Sequence, residues 1–402
     1  MQHDERTTRT TKIFIILAAV CLLIAGFIQF FLTWDGFGVR DMRMQSTGNA
    51  VTFGFESSAA FHSNDANSFF FMTADGMRHI LTNGTTDWQR SFNFNRPVMV
   101  SNGNYVAVGE ASGGRVVYVF GNNSSFYRVD FEHPILVFSV NETGWLTTIV
   151  SYDNGFGVYV HNQQRTDRPL FNLPLRSPLI TPLTAQVSAD GRYIAIAMLD
   201  MDIVPRSIVQ FRYINASDAR GTADGLFAAE TFARQTVTAV QFMDNNRVIV
   251  ATTGQISGFQ LGPAHATKQE LWTISLYNQL SHIEFTQTHF AFITGDKVHE
   301  VYAEDVGTVK MFHVDGTPTG YFSLGRRATH LSMGHNALIA GTDRIFNAFD
   351  LRGQHLWEYI TLHDTRDFLF LENTNTVLVA GNTRADVRQR RAVREDLMAQ
   401  QQ

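Results

Sequence analysis

The chain has one cysteine, nine prolines and little charge. Its sole cysteine, Cys21, lies within an apolar N-terminal run. The rest of the 402 residues therefore holds neither a disulfide framework nor a cysteine-based metal site. This scarcity fits a bacterial exported domain and a cytosolic one equally. Charged residues make up 17% of the chain, the formal net charge is -5, and no basic stripe runs through the body. That excludes a nucleic-acid partner, whose phosphates must be neutralised. Few prolines beside 33 phenylalanines and a 44% hydrophobic fraction exclude a disordered chain.

One long apolar run is present. Residues 13–34, IFIILAAVCLLIAGFIQFFLTW, carry no charge. At about 1.5 Å per residue they cover the roughly 30 Å hydrocarbon core of a bilayer. Trp34 sits where an interfacial aromatic belongs. The run is longer than the apolar region of a cleaved signal peptide, about 7–15 residues, and ends without small residues at a cut site. A lipid-modified Cys21 is excluded by bulky Val20 before it and the apolar run after it. The segment reads as an uncleaved single-pass anchor. Arg6, Arg9 and Lys12 precede it, against Arg40 and Arg43 after it, which places the N-terminus in the cytoplasm and the body outside the membrane.

From about residue 50 a short unit recurs. Its first halves read VMVSNGNYVAVG (98–109), AQVSADGRYIAIA (185–197), VQFMDNNRVIVAT (240–252) and LFLENTNTVLVAG (369–381). Second halves read LTNGTTDWQRSF (81–92), HVDGTPTGYFSL (313–324) and DLRGQHLWEYI (350–360). The first-half hairpins turn near residues 102, 141, 189, 244, 287, 334 and 373, a spacing of about 45 residues and the length of a four-stranded propeller blade. Each copy must bury its apolar face on its neighbours. The expected fold is all-β: a β-propeller of about seven four-stranded blades, with eight as the alternative if residues 50–61 build more of a blade. The last hairpin, 368–381, has no second half. It is expected to close the ring with second-half features from residues 69–94, leaving no open sheet edge. The expected organisation is a cytoplasmic tail at 1–12, a transmembrane helix at 13–34, a linker at 35–49, a propeller at 50–382 and a basic polar tail at 383–402. Arg384, Arg388, Arg390, Arg391 and Arg394 lie in that tail, whose propensity is helical. Residues 199–236 form the longest irregular stretch, expected as a strand pair or loop on one rim.

The anchor, with turns such as VSNGNYVAVG, FGNNSSFYRV, VSADGRYIAIAM and the Trp-ended hairpin TNGTTDW, resembles an uncharacterised bacterial family, a domain of unknown function. Its members are single-pass, membrane-anchored, WD40-like or quinoprotein-like β-propellers. The resemblance spans residues 10–382 and implies an extracytoplasmic propeller at a Gram-positive-type envelope. It implies no catalytic residues.

The chemistry of known propellers is not apparent. Quinoprotein dehydrogenases use vicinal cysteines or a calcium cage, and no cysteine follows Cys21. Ser188-Ala189-Asp190-Gly191 is too short for a sialidase box and reads as a hairpin turn needing positive φ. The histidines lie mostly singly: His62, His79, His133, His161 and His265, with His282, His289 and His299 closer together, and His330 near His335. None has His-Glu-x-x-His spacing. Asp200 and Asp202 lack the glycine turn and further ligands of a calcium loop and read as a turn rim. The Asn-x-Ser/Thr triplets at Asn83, Asn123, Asn141 and Asn215 read as turn chemistry. No catalytic, cofactor-binding or metal residue is assigned, and the expectation is a protein that is not an enzyme.

These features point to a membrane-anchored, extracytoplasmic interaction scaffold at the cell envelope. Its partners would be the membrane, through its N-terminal helix, and an envelope protein. The alternative is a module that binds cell-wall glycan or senses a ligand, with Trp88, Trp145, Trp272 and Trp357 as candidate stacking platforms. Three of these end hairpins at matching places, where packing between blades is expected. Trp145 follows a turn and would be exposed in a glycan binder. A hydrolase or lyase would instead gather ionisable groups at the channel mouth.

Overall fold

The computed structural model describes residues 42–53, 59–65, 67–110, 113–215, 224–262, 267–294, 307–325, 328–334, 336–342 and 344–392. The expected span at 13–34, with Cys21, lies outside them, as do His265, His299, His335 and residues 216–223. Among the described residues no helix is long and apolar enough to cross a membrane. Residues 46–389 form one compact unit. Of the remainder, only residues 42–45 and 390–392 are described, as the ends of two strands.

Eight four-stranded antiparallel sheets make up a propeller. Blades 1 to 7 span residues 60–91, 97–130, 135–175, 180–233, 237–275, 280–323 and 330–360. Residues 367–392, with the strand Met42–Thr52 on their outer edge, form blade 8. Buried clusters combine residues of consecutive blades, so the core lies between the sheets. The period of two explains this. In the strand Tyr105–Glu110, Val106 and Val108 pack toward blade 1 while Ala107 packs toward blade 3.

The count of eight corrects the expected seven. Residues 69–94 do not complete the last hairpin; most of them build blade 1, whose inner strand is Ala60–Asp65. That first half, AFHSND before the strand Ser68–Thr73, carries a register shift between Ser63 and Asp65, so its turn departs from the spacing of the others. The ring closes through Met42–Thr52 beside Arg384–Ala392, the first lying mostly and the second wholly outside the propeller expected at 50–382. Thr47 Oγ1 donates to the Val387 carbonyl at 3.0 Å, and the Phe53 N–H donates to the Thr383 carbonyl at 2.9 Å. The helical propensity of the tail yields because Ala385 and Val387 alternate inward between Arg384, Asp386 and Arg388. The linker expected at 35–49 likewise ends within a strand.

In blades 1 to 7 the inner strand comes first, and in blade 8 it is the first of the three C-terminal strands. The inner-to-second and third-to-outer turns therefore define a lower face, and the connections between blades define an upper one. Met42–Thr52 is antiparallel to Arg384–Ala392 and runs from the lower face to the upper.

Candidate functional site

The inner strands surround a central channel of about 530 Å³. Three carboxylates line it, two of them on inner strands: Glu284 from Leu280–Phe285 of blade 6 and Asp367 at the start of Asp367–Asn373 in blade 8, with Glu142 at a turn of blade 3. Glu284 is accessible from the channel, yet protein surrounds that space. Confinement away from bulk water pushes its carboxyl up to about 7, with the Asp367 charge adding to the effect. Burial likewise pushes Asp367 up to about 7, against the opposing pull of Arg366 and the Phe368 N–H. Glu142, at the blade 3 turn, accepts a hydrogen bond from Gln287 of blade 6 at 3.3 Å.

Two histidines line the same channel. His62 Nε2 lies 3.1 Å from the Gly103 carbonyl, and His330 Nε2 lies 3.0 Å from the Phe368 carbonyl. Burial lowers the pKa of both rings, favouring the neutral form that donates to these carbonyls. Both contacts join one blade to the next, as do Ser139 Oγ to the Ala185 carbonyl and Asn141 Nδ2 to the Ser188 carbonyl. The histidines thus pin the ring, while the two inner-strand carboxyls can take up or release protons near neutrality. Among the described residues no group of three His, Cys, Asp or Glu could hold a metal ion. The channel does gather the ionisable groups that mark an enzyme reading. Their signal in the sequence was a charge within an inner strand: Glu284 lies between Ile283 and Phe285.

The other expected residues have structural roles. Ser188 Oγ donates to Asp190, and Gly191 takes φ +71°. Asp200 pairs with Arg206 at 2.9 Å and accepts the Asp202 N–H, closing a hairpin. Asn83, Asn123 and Asn141 accept N–H groups two residues on, as turn chemistry requires. His79 pairs with Asp87 at 3.0 Å, and His133 lies edge-on to Tyr152. His289 and His313 face each other edge-on, and His282 is exposed. Residues 199–236 supply the whole third strand and outer strand of blade 4, Arg206–Tyr213 and Leu226–Ala233.

Trp88, Trp272 and Trp357 pack against the following blade, as their positions imply: Trp88 on Phe120, Trp272 on Phe290, Trp357 on Phe368 and Phe370. Trp145 is half-buried, its six-membered ring against Gly191 of blade 4. A second hollow, of about 140 Å³, lies beside it between blades 2 and 3 on the lower face.

Large apolar side chains stand exposed on the upper face. Ile203 is 95% accessible at the tip of a blade 4 hairpin, with Met201, Val204 and Leu179 around it. Tyr277 and Leu362, each 85% accessible, occupy the connections after blades 5 and 7.

Solved structures share this architecture. The computationally designed Ika8 protein superposes with a TM-score of 0.57 at 16% identity, over 86% of this chain and 98% of its own. Sqt1 of Saccharomyces cerevisiae gives 0.55 at 11% identity, over 86% and 100%. Sqt1 of Chaetomium thermophilum gives 0.54 at 13%, over 86% and 99%. At such identities the likeness establishes the fold alone. No curated protein matches the sequence. The profile of the family of unknown function DUF5711 matches residues 52–387, nearly the whole propeller, and the chain belongs to that family.

Proposed function

We propose that this protein is a membrane-anchored, extracytoplasmic propeller that serves as a protein-interaction scaffold at the cell envelope. The observation that carries this reading is the exposure on the upper face of Leu179, Met201, Ile203 and Val204 together at blade 4, and of Tyr277 and Leu362 at two further connections. Single exposed apolar residues are ordinary, whereas a set on one face marks an interaction surface. Chain direction supports the arrangement. The strand Met42–Thr52 enters the propeller on the lower face, the side away from these exposed residues. The partner is another envelope protein with an apolar docking patch.

The test is crosslinking in intact membranes, purification through a C-terminal tag and mass spectrometry. A reproducible partner should be captured by the wild type and lost when Ile203→Asp and Leu362→Asp are combined. Failure to capture any reproducible partner overturns the reading. A second reading, an envelope hydrolase or lyase, is favoured by the channel carboxyls near pKa 7, the range suited to general acid–base work. Under it, Glu284→Gln would abolish turnover in a screen of envelope substrates while leaving partner capture intact.

A further inference from the structure

The small hollow between blades 2 and 3 combines features that packing alone does not require. Three aromatic side chains line it: Tyr105 and Tyr127 from blade 2, and Trp145 from blade 3. Opposite them, Gln163 and Gln164 stand exposed on the turn between the third and outer strands of blade 3. No Asp, Glu, Lys or Arg lines the space, so its occupant is neutral. Its volume of about 140 Å³ suits a single small ring rather than a drug-sized molecule. Ser125 also lines the hollow, and its Oγ is buried and without a hydrogen-bond partner among the described residues, leaving an unused donor and acceptor.

The walls are set before any ligand arrives. Tyr127 Oη donates to the Gly144 carbonyl at 2.6 Å, and its burial raises the phenol pKa, keeping it protonated. Asn141 Oδ1 accepts the Trp145 N–H at 2.8 Å and fixes the turn that presents the indole. Asn162 Oδ1 accepts the N–H groups of Gln164 and Arg165 at 3.1 and 3.0 Å, holding the amide-bearing turn. Gly144 is required here, because a Cβ at its φ of +82° would meet the Tyr105 ring at 2.6 Å. A site held this rigidly loses little conformational entropy on binding.

Aromatic walls, side-chain amides, a free hydroxyl and no charge together match a sugar ring, which offers an apolar face and a rim of hydroxyls. We infer that this hollow binds one neutral pyranose residue, with Trp145 and Tyr105 against the ring and Gln163, Gln164 and Ser125 toward its hydroxyls. The site is separate from the apolar upper face and from the channel. Because it opens on the lower face, the pyranose can come from a membrane glycolipid headgroup or from a wall glycan.

The full chain, purified in a detergent without a sugar headgroup, should be titrated with glucose and N-acetylglucosamine by calorimetry and saturation-transfer NMR. Saturable binding in the millimolar range is expected. It should weaken by about tenfold or more when Gln163→Ala and Gln164→Ala are combined, and be unchanged in the channel variant Gln287→Ala. These glutamines are exposed, and an unchanged thermal transition would show that the variants fold; should the pair not fold, Gln163→Ala alone is measured. Flotation with vesicles containing monoglucosyl diacylglycerol, against sedimentation with isolated wall, identifies the source. Absence of saturable binding to either sugar overturns the proposal, as does binding that survives the glutamine substitutions.

Discussion

The indole of Trp272 in blade 5 lies across Gly316 in blade 6, where a Cβ would meet the ring at 2.5 Å. Its Nε1 donates to the Val314 carbonyl at 3.1 Å, and the ring stacks on Phe290 with centroids 5.4 Å apart. Gly316 takes φ +87°, so it has two reasons to be glycine. Gly316→Ala should destabilise the propeller by about 1–3 kcal/mol, from strain and from displacement of the indole. Gly48→Ala is the control, because Gly48 has φ +84° and nothing within 4 Å of a Cβ. In urea unfolding, Gly316→Ala should cost more than Gly48→Ala; equal costs would show that the indole contact contributes nothing.

Trp357 repeats this arrangement between blades 7 and 8. It is buried, and its Nε1 donates to the Thr374 carbonyl at 2.9 Å. Trp357→Ala should cost about 3–5 kcal/mol through the cavity it leaves. Trp357→Phe keeps much of the packing and loses the hydrogen bond, about 0.5–1.5 kcal/mol. Comparing both variants with wild type in denaturant separates the two contributions.

The repeat was legible in the sequence because each copy obeys the same rules: alternating apolar residues, an Asx or Gly turn, an aromatic on the outer strand. Those rules also set Trp88, Trp272 and Trp357 correctly between blades. Legibility failed where a blade is made from distant segments. Ser46-Thr47-Gly48-Asn49 has no apolar alternation, since an outer strand needs only one partly covered face. The arginines of 384–391 concealed Ala385 and Val387, the residues that mark the strand. The channel was less legible still, because residues 284 and 367 share a space only once the ring closes.

Closure through Met42–Thr52 makes the domain boundaries testable. A chain ending at residue 382 removes the strand Arg384–Ala392 and leaves Met42–Thr52 without its partner. The exposed edge of Asp367–Asn373 and Thr376–Ala380 should then drive association. Size-exclusion chromatography of the truncated chain should show aggregates or a loss of soluble protein relative to the full chain. An equally monomeric, equally stable truncation would show that the composite blade does not hold the ring.

Stability should also depend on pH through two opposing sets of groups. His161 is buried, one ring nitrogen lacks a partner, and burial pushes its pKa down to about 4. Between about 4 and 6.5 the unfolded chain binds the extra proton, so this contribution is lost as pH falls through that window. The full difference is worth about 3 kcal/mol. Glu284 and Asp367 act in the other direction. Their carboxyls are pushed up to about 7, so the folded state holds the protons longer, and stability falls as pH rises from about 4 to 7. Thermal melts of wild type against His161→Phe should show the variant gaining relative stability as pH drops toward 4. Glu284→Gln should gain relative stability as pH rises from about 4 to 7 and hold that gain above it. Parallel pH profiles for all three proteins would show that neither burial nor the channel perturbs these groups, and would remove the electrostatic support for an acid–base site in the channel.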